Sequence, residues 1–156
     1  MEIKRETENP RVVIVISADI EWNEIKLFLP KEDIKTSPYG EWLDIKLDVN
    51  GVDKLVTFFQ GGWGKIAAAA STQYIIDHWE PDLLINLGTC GGFEGEITKG
   101  AILLVVKTIV YDIHEQMGDA DEALDHYTTL LDLAWLPEEY PQEVVKTVLI
   151  SGDRDL

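Results

Sequence analysis

VVIVISADIEWNEIKLFL, residues 12–29, decides how the rest of the chain is read. Five consecutive β-branched apolar residues lie between Arg11 and Ser17, with Pro10 upstream and small residues downstream. A strand buried on both faces has this pattern, because neither face needs polar alternation. From Glu21 to Leu29, Ile25, Phe28 and Leu29 recur at helical spacing until Pro30 stops the run. Strand, short loop and helix within twenty residues open an α/β chain.

Outward from this unit the alternation continues. Leu43, Ile45, Leu47 and Val49 alternate with Asp44, Lys46 and Asp48, then comes Asn50-Gly51, then a second β-rich run from Leu55 to Phe59. Asn-Gly between such runs predicts a tight hairpin, since both turn positions need positive φ. Gln60-Gly61-Gly62-Trp63-Gly64-Lys65 leads into an alanine-rich helix from Ile66 to about Trp79, and Pro81 introduces a second buried strand, DLLINLG. That strand empties into Thr89-Cys90-Gly91-Gly92. A third apolar strand runs from Ala101 to Val106 with a continuation through Ile109 and Val110, and Thr147 to Ile150 is strand-like. Between Thr108 and Val145 lie ten acidic residues and no Lys or Arg, read as loop or exposed helix with an amphipathic piece at Leu130 to Leu136. The expectation is one domain spanning residues 1–156, an α/β architecture with a mixed sheet covered by helices.

Composition narrows the function. A chain of 156 residues can bury roughly 68–70% of its unfolded surface. Its 29 acidic against 13 basic residues give a net charge of −16, which opposes the phosphate neutralisation that nucleic-acid binding needs. No apolar stretch reaches the roughly 20 residues of a membrane span, and MEIKRETENP has no apolar secretory core. The reading is a soluble cytoplasmic protein with neither nucleic acid nor membrane as partner. The single cysteine, Cys90, excludes an internal disulfide and a multi-thiolate metal site. His78, His114 and His126 have no ligand spacing, so no metal is expected.

In α/β sheets ligands bind beyond the carboxyl ends of the strands, which singles out the loops after Ile16, Gln60 and Leu87. Gly62-Trp63-Gly64-Lys65-Ile66-Ala67 fits G-x-G-x-x-A, yet the next strand ends Asn86-Leu87-Gly88, without the acid a dinucleotide site carries. A P-loop fails because Phe59 occupies the first glycine position and Ile66 follows the lysine. A tight turn allowing close helix packing accounts equally well for these glycines. Trp63 is the tryptophan placed to meet a ligand. Gly88-Thr89-Cys90-Gly91-Gly92 has backbone donors able to approach an oxyanion or hydroxyl, and simple turn chemistry explains it as well. Cys90 reads as a small packing residue rather than a nucleophile. Glu21 sits where a loop turns into helix: the dipole favours a carboxylate there by about 0.3–1 kcal/mol, and the same place suits a general base, with Glu24 as competitor.

These segments in this order resemble the nucleoside phosphorylase and nucleosidase superfamily, in particular its 5′-methylthioadenosine/S-adenosylhomocysteine nucleosidase branch. The matching stretches are VVIVISADIEW, GGWGKIAAAAS, EPDLLINLGTCGG with the later KGAILLV, and VLISGDRDL. The resemblance implies a three-layer α/β sandwich with a mixed, partly closed central sheet, and a homodimer or higher homo-oligomer. It implies cleavage of the N-glycosidic bond of a purine nucleoside, with Glu21 activating water. Thr89, Cys90 and Gly91 would lie beside the water and ribose, Gly62, Trp63 and Gly64 would shape the same pocket, and Asp153 and Asp155 of the final segment would complete it. Phosphorylase members carry a Gly-Asp-Pro and arginine constellation for phosphate, whereas Ser17-Ala18-Asp19-Ile20-Glu21 lacks arginine. Hydrolysis is therefore expected without cofactor, with inorganic phosphate a co-substrate only if the protein is a phosphorylase. The family's ribose-gripping glutamate and base-protonating aspartate lie downstream of the SGD segment, and Asp155 stands near the place of a base-stacking aromatic. The 156 residues are thus expected to be an N-terminal portion with little turnover alone. The alternative is a short form that binds a nucleoside without cleaving it.

Overall fold

The structure, a computed structural model, describes residues 11–30, 33–113 and 118–153. Two compact units divide after Cys90. The first contains β1 (Val12–Ile16), α1 (Asp19–Ile25), β2 (Lys35–Thr36), β3 (Glu41–Val49), β4 (Val52–Gln60), α2 (Lys65–Trp79) and β5 (Leu83–Asn86). Its strands form one mixed sheet in the order β2-β3-β4-β1-β5. β1 is parallel to β4 and β5, while β3 is antiparallel to both β2 and β4. The β3–β4 hairpin closes with Val49 opposite Val52. Asn50 and Gly51 take φ of 55° and 79°, the twist a two-residue turn needs, and Asp48 Oδ1 accepts from the Gly51 N–H at 2.8 Å.

Because side chains alternate along β1, the sheet carries a core on each face. Ile16 joins Trp22, Leu43, Ile45, Val56 and Phe58 on the face covered by α1. Val13 and Val15 join Phe59 and Ile75 on the face covered by α2. Helix, sheet and helix make three layers within this unit, as the sequence leads one to expect. At the far end of α2, Trp79 packs edge-on against Trp42 and Phe59, and its carbonyl accepts from the Arg11 guanidinium.

α1 is short and lacks internal support. Its N-cap, Ala18, makes no side-chain capping bond, and its last turn has no basic residue. Seven residues are too few for a helix stable by itself. Contacts outside the helix hold it: Trp22 is 1% exposed, its indole N–H donates to Glu41 Oε2 at 2.8 Å, and Lys26 Nζ donates to the same oxygen at 2.6 Å. The bonds from Lys26 and Trp22 lower the Glu41 carboxyl below its ordinary value, against the opposing effect of burial.

The second unit contains β6 (Leu103–Val110), α3 (Ala120–His126), β7 (Thr128–Leu130) and β8 (Val145–Ser151). β6 pairs antiparallel with β7 and parallel with β8, with a bulge between Val105 and Lys107. No helix among the described residues is long and apolar enough to cross a membrane.

Two local expectations need correction. The first helix runs from Asp19 to Ile25 rather than from Glu21 to Leu29, and Leu27 and Phe28 point to solvent, 67% and 82% exposed. Leu130 to Leu136 is not one amphipathic piece: Leu130 pairs with Lys107 in β7, and Trp135 Nε1 closes a local turn onto the Asp132 carbonyl. The acidic region does hold a helix, α3, at whose start the Asp119 carboxylate caps the Asp121 N–H at 2.8 Å.

Two outcomes follow for stability. A Cβ on Gly62 would stand 2.4 Å from the Ala67 Cβ, so Gly62→Ala should cost about 1–3 kcal/mol of overpacking, and denaturant titration should show Ala67→Gly recovering part of that loss; additive costs would contradict the contact as the cause. Glu41 has a folded value below 4.5, so the unfolded state binds the extra proton. Its contribution should be complete above that ordinary value and fade as pH falls through the lowered one. Glu41→Gln should flatten the acid limb of stability against pH, and an unaltered limb would contradict the bond.

Candidate functional site

Parallel pairing brings three strand ends to one level. Ile16 at the end of β1 is opposite Gln60 at the end of β4, and Val15 is opposite Asn86 at the end of β5. The pairing continues one step into the loops, where the Gly61 N–H donates to the Ile16 carbonyl and the Leu87 N–H to the Val15 carbonyl, each at 2.9 Å. The three loops singled out from the sequence therefore leave the sheet side by side.

Glu21, on the first turn of α1, reaches across to the loop after β5. Its Oε1 accepts both the backbone N–H and the hydroxyl of Thr89, each at 2.6 Å. Such short bonds to an ionised carboxylate are charge-assisted, roughly twice as strong as neutral ones. Both donors fall on one oxygen, and no donor from the described residues falls on Oε2. A Cβ on Gly88 would lie 3.1 Å from that Oε2 and 3.2 Å from Oε1, so the glycine leaves the carboxylate its space.

Beside this pair opens a cavity of about 410 Å³, lined by Ile16, Ile20, Glu21, Glu24, Ile25, Leu87, Gly88 and Thr89. Four aliphatic side chains, two carboxylates and a hydroxyl make a wall that suits an apolar or cationic group and repels an anion.

Of the residues proposed from sequence, the structure brings Glu21 and Thr89 into contact. Cys90 follows Thr89 and is exposed with its thiol free. Gly62, Trp63 and Gly64 form the loop between β4 and α2. Gly62 packs against Ala67, its N–H donates to the buried Ser71 hydroxyl at 3.3 Å, and Gly64 takes φ 81° at the helix start. Close helix packing requires the glycine at 62 and positive φ favours it at 64, while Trp63 stands 78% exposed on the loop. Gly91 opens the second unit and is exposed. Asp153, in that unit, donates its backbone N–H to Asp112 Oδ2 at 2.7 Å. Asp155 and His114 lie outside the described residues. His78 stacks on Tyr74 with centroids 4.5 Å apart, and His126 meets Tyr127 edge-on. Among the described residues no group of three or more His, Cys, Asp or Glu could hold a metal ion.

Sequence reasoning placed Gly88 in the candidate loop without the space it leaves for the Glu21 carboxylate, and it missed the aliphatic wall. A glycine directly after a buried strand was the available signal for Gly88, whereas Ile20 and Leu87 carry no mark separating them from core residues.

A family model described as the phosphorylase superfamily matches residues 13–147. A curated relative from Maridesulfovibrio salexigens, a 5′-methylthioadenosine/S-adenosylhomocysteine nucleosidase, is 33% identical over 151 residues, covering 90% of this chain and 64% of its own length. Among solved structures, the nucleosidase of that name from Colwellia psychrerythraea in complex with adenine aligns with a TM-score of 0.63 and 20% identity over 96% of this chain and 64% of that one. The S-adenosylhomocysteine nucleosidase from Streptococcus pyogenes in complex with 5-methylthiotubericidin gives 0.69 and 13% over 96% and 65%. The chain spans about 64% of the curated relative's length, and the solved structures establish its α/β fold. With the family match running from within β1 into β8, the chain belongs to the phosphorylase superfamily.

Proposed function

We propose that the protein hydrolyses the N-glycosidic bond of a purine nucleoside of the 5′-methylthioadenosine or S-adenosylhomocysteine type. The observation that carries this reading is the Glu21 carboxylate, which lines the cavity and is fixed through Oε1 by both donors of Thr89. The names of the similar nucleosidases supply the substrate class.

In the proposed reaction a water oxygen bonds to the sugar C1′ as the C1′–N bond breaks, and the bonding pair leaves with the base. The water proton passes to Glu21 Oε2, and the departing base takes a proton from a group other than Glu21. The transition state is cationic at the sugar, so the two carboxylates in the cavity wall stabilise it more than they do the neutral substrate. The same wall favours water over phosphate as the nucleophile, because an attacking phosphate would be repelled by Glu21 and Glu24. Phosphorolysis and binding without turnover remain outcomes of the test. The reading includes a homo-oligomer, supported by the exposure of large apolar side chains such as Phe28, Trp63 and Ile66.

In the protein as its cell makes it, release of adenine from 5′-methylthioadenosine should fall at least about a hundredfold in Glu21→Gln, the scale of a lost general base. Thr89→Val, which keeps the backbone bond and removes the hydroxyl, should fall less. Undiminished release by Glu21→Gln would remove the carboxylate from the mechanism, and a wild-type protein that binds the nucleoside without releasing base would favour a binding module.

A further inference from the structure

α1 carries Glu21, yet nothing within the helix sets its rotation. Asp19, Trp22 and Lys26 recur at i, i+3 and i+7, which places them along one stripe. Ile20, Glu21 and Glu24 lie on the opposite flank, towards the cavity. The first stripe is tied to the ends of β3 and β4 by two side chains. The Gln60 amide donates to Asp19 Oδ1 at 2.8 Å and accepts the Glu41 N–H at 3.2 Å. Glu41 Oε2 then takes the Trp22 indole N–H at 2.8 Å and Lys26 Nζ at 2.6 Å. Lys26 also lies 5.9 Å from the Trp22 ring centroid. The opposite flank is tied by the bonds from Thr89 to Glu21. A helix held along two flanks can turn about its axis only if one set of bonds yields.

We propose that Glu41 is a positioning residue for Glu21, holding the far flank of α1 so that the carboxylate meets Thr89 and faces the cavity. Its consequence for rate rests on the reaction proposed above; the dependence of the Glu21–Thr89 bond on Glu41 does not. Productive geometry tolerates about 0.5 Å of error, and a misplacement of about 1 Å can cost a hundredfold in rate. Release of Glu41 therefore acts on catalysis without touching the substrate.

The test is the Thr89 amide resonance of the full chain in ¹⁵N-labelled protein, where a bond of this length to a carboxylate moves the proton well downfield. Glu21→Gln supplies the reference for the weakened bond. Glu41→Ala should shift the Thr89 proton towards that reference, and Glu41→Gln, which keeps an acceptor for Trp22, should shift it less. If Glu41→Ala does not fold, Glu41→Gln and Lys26→Met each carry the test, with a smaller displacement expected. In turnover, Glu41→Ala should lower kcat about tenfold at unchanged KM, and Glu41→Gln should restore much of it. A Thr89 resonance unmoved in a folded Glu41 variant whose Trp22 indole proton has shifted would overturn the proposal. The amide readout needs no turnover, so an inactive wild-type protein would sink the proposed reaction while Thr89 still decided the role of Glu41.

Discussion

β1 lies inside its sheet, parallel to β4 on one side and β5 on the other, and the candidate site depends on that placement. Parallel strands end at the same edge, so the chain leaves Ile16, Gln60 and Asn86 at one level and must turn three times in the same neighbourhood. The five β-branched residues of β1 make the placement favourable, because both faces are covered: Ile16 enters the core beneath α1 while Val13 and Val15 enter the core beneath α2. A polar residue in either set would remain buried without a partner, at a cost of roughly 1–3 kcal/mol. Sheet position and site position are thus consequences of the same five side chains.

What the strands bring together, side-chain bonds then aim. Glu21 stands on a helix too short to be stable alone, and that helix is held from both sides: by burial of Trp22 with the Glu41 and Gln60 bonds on one flank, and by Thr89 on the other. Because the Thr89 donors converge on one carboxylate oxygen, the second takes no bond from Thr89, and the residue lines the cavity. Four aliphatic residues around it lower the local polarity, which strengthens the interaction between a carboxylate and a developing cation. Geometry at the candidate site comes from constraint on a small helix rather than from the loops alone.

Features written locally could be read from the sequence, and features made across the chain could not. The β1 run, the Asn50-Gly51 turn and the alanine-rich α2 each follow from the residues within a few positions, and each falls where the pattern puts it to within a residue or two. Helical spacing carries the first helix on to Leu29, because Phe28 and Leu29 continue it. Spacing alone does not reveal that Phe28 faces solvent, nor that the Lys26 side chain bonds Glu41 just where the helix ends. The two-residue β2 has too few positions to make a pattern. In the site, Glu21 and Thr89 were both singled out for their places after buried strands, but their contact spans 68 residues of separation. Glu41 carries no signal in the sequence and Gln60 marks only the start of a glycine loop, since an acid and an amide at strand ends are ordinary until Trp22 and Asp19 are brought against them.

The central claim is that Glu21, held by Thr89, directs water rather than phosphate at the sugar carbon. Its most direct test is the identity of the sugar product when the protein as its cell makes it is supplied with 5′-methylthioadenosine in phosphate buffer, followed by ³¹P NMR and mass spectrometry. The account predicts adenine with an unphosphorylated 5-methylthioribose and inorganic phosphate left unconsumed. A 5-methylthioribose 1-phosphate product, formed with matching consumption of phosphate, would contradict it.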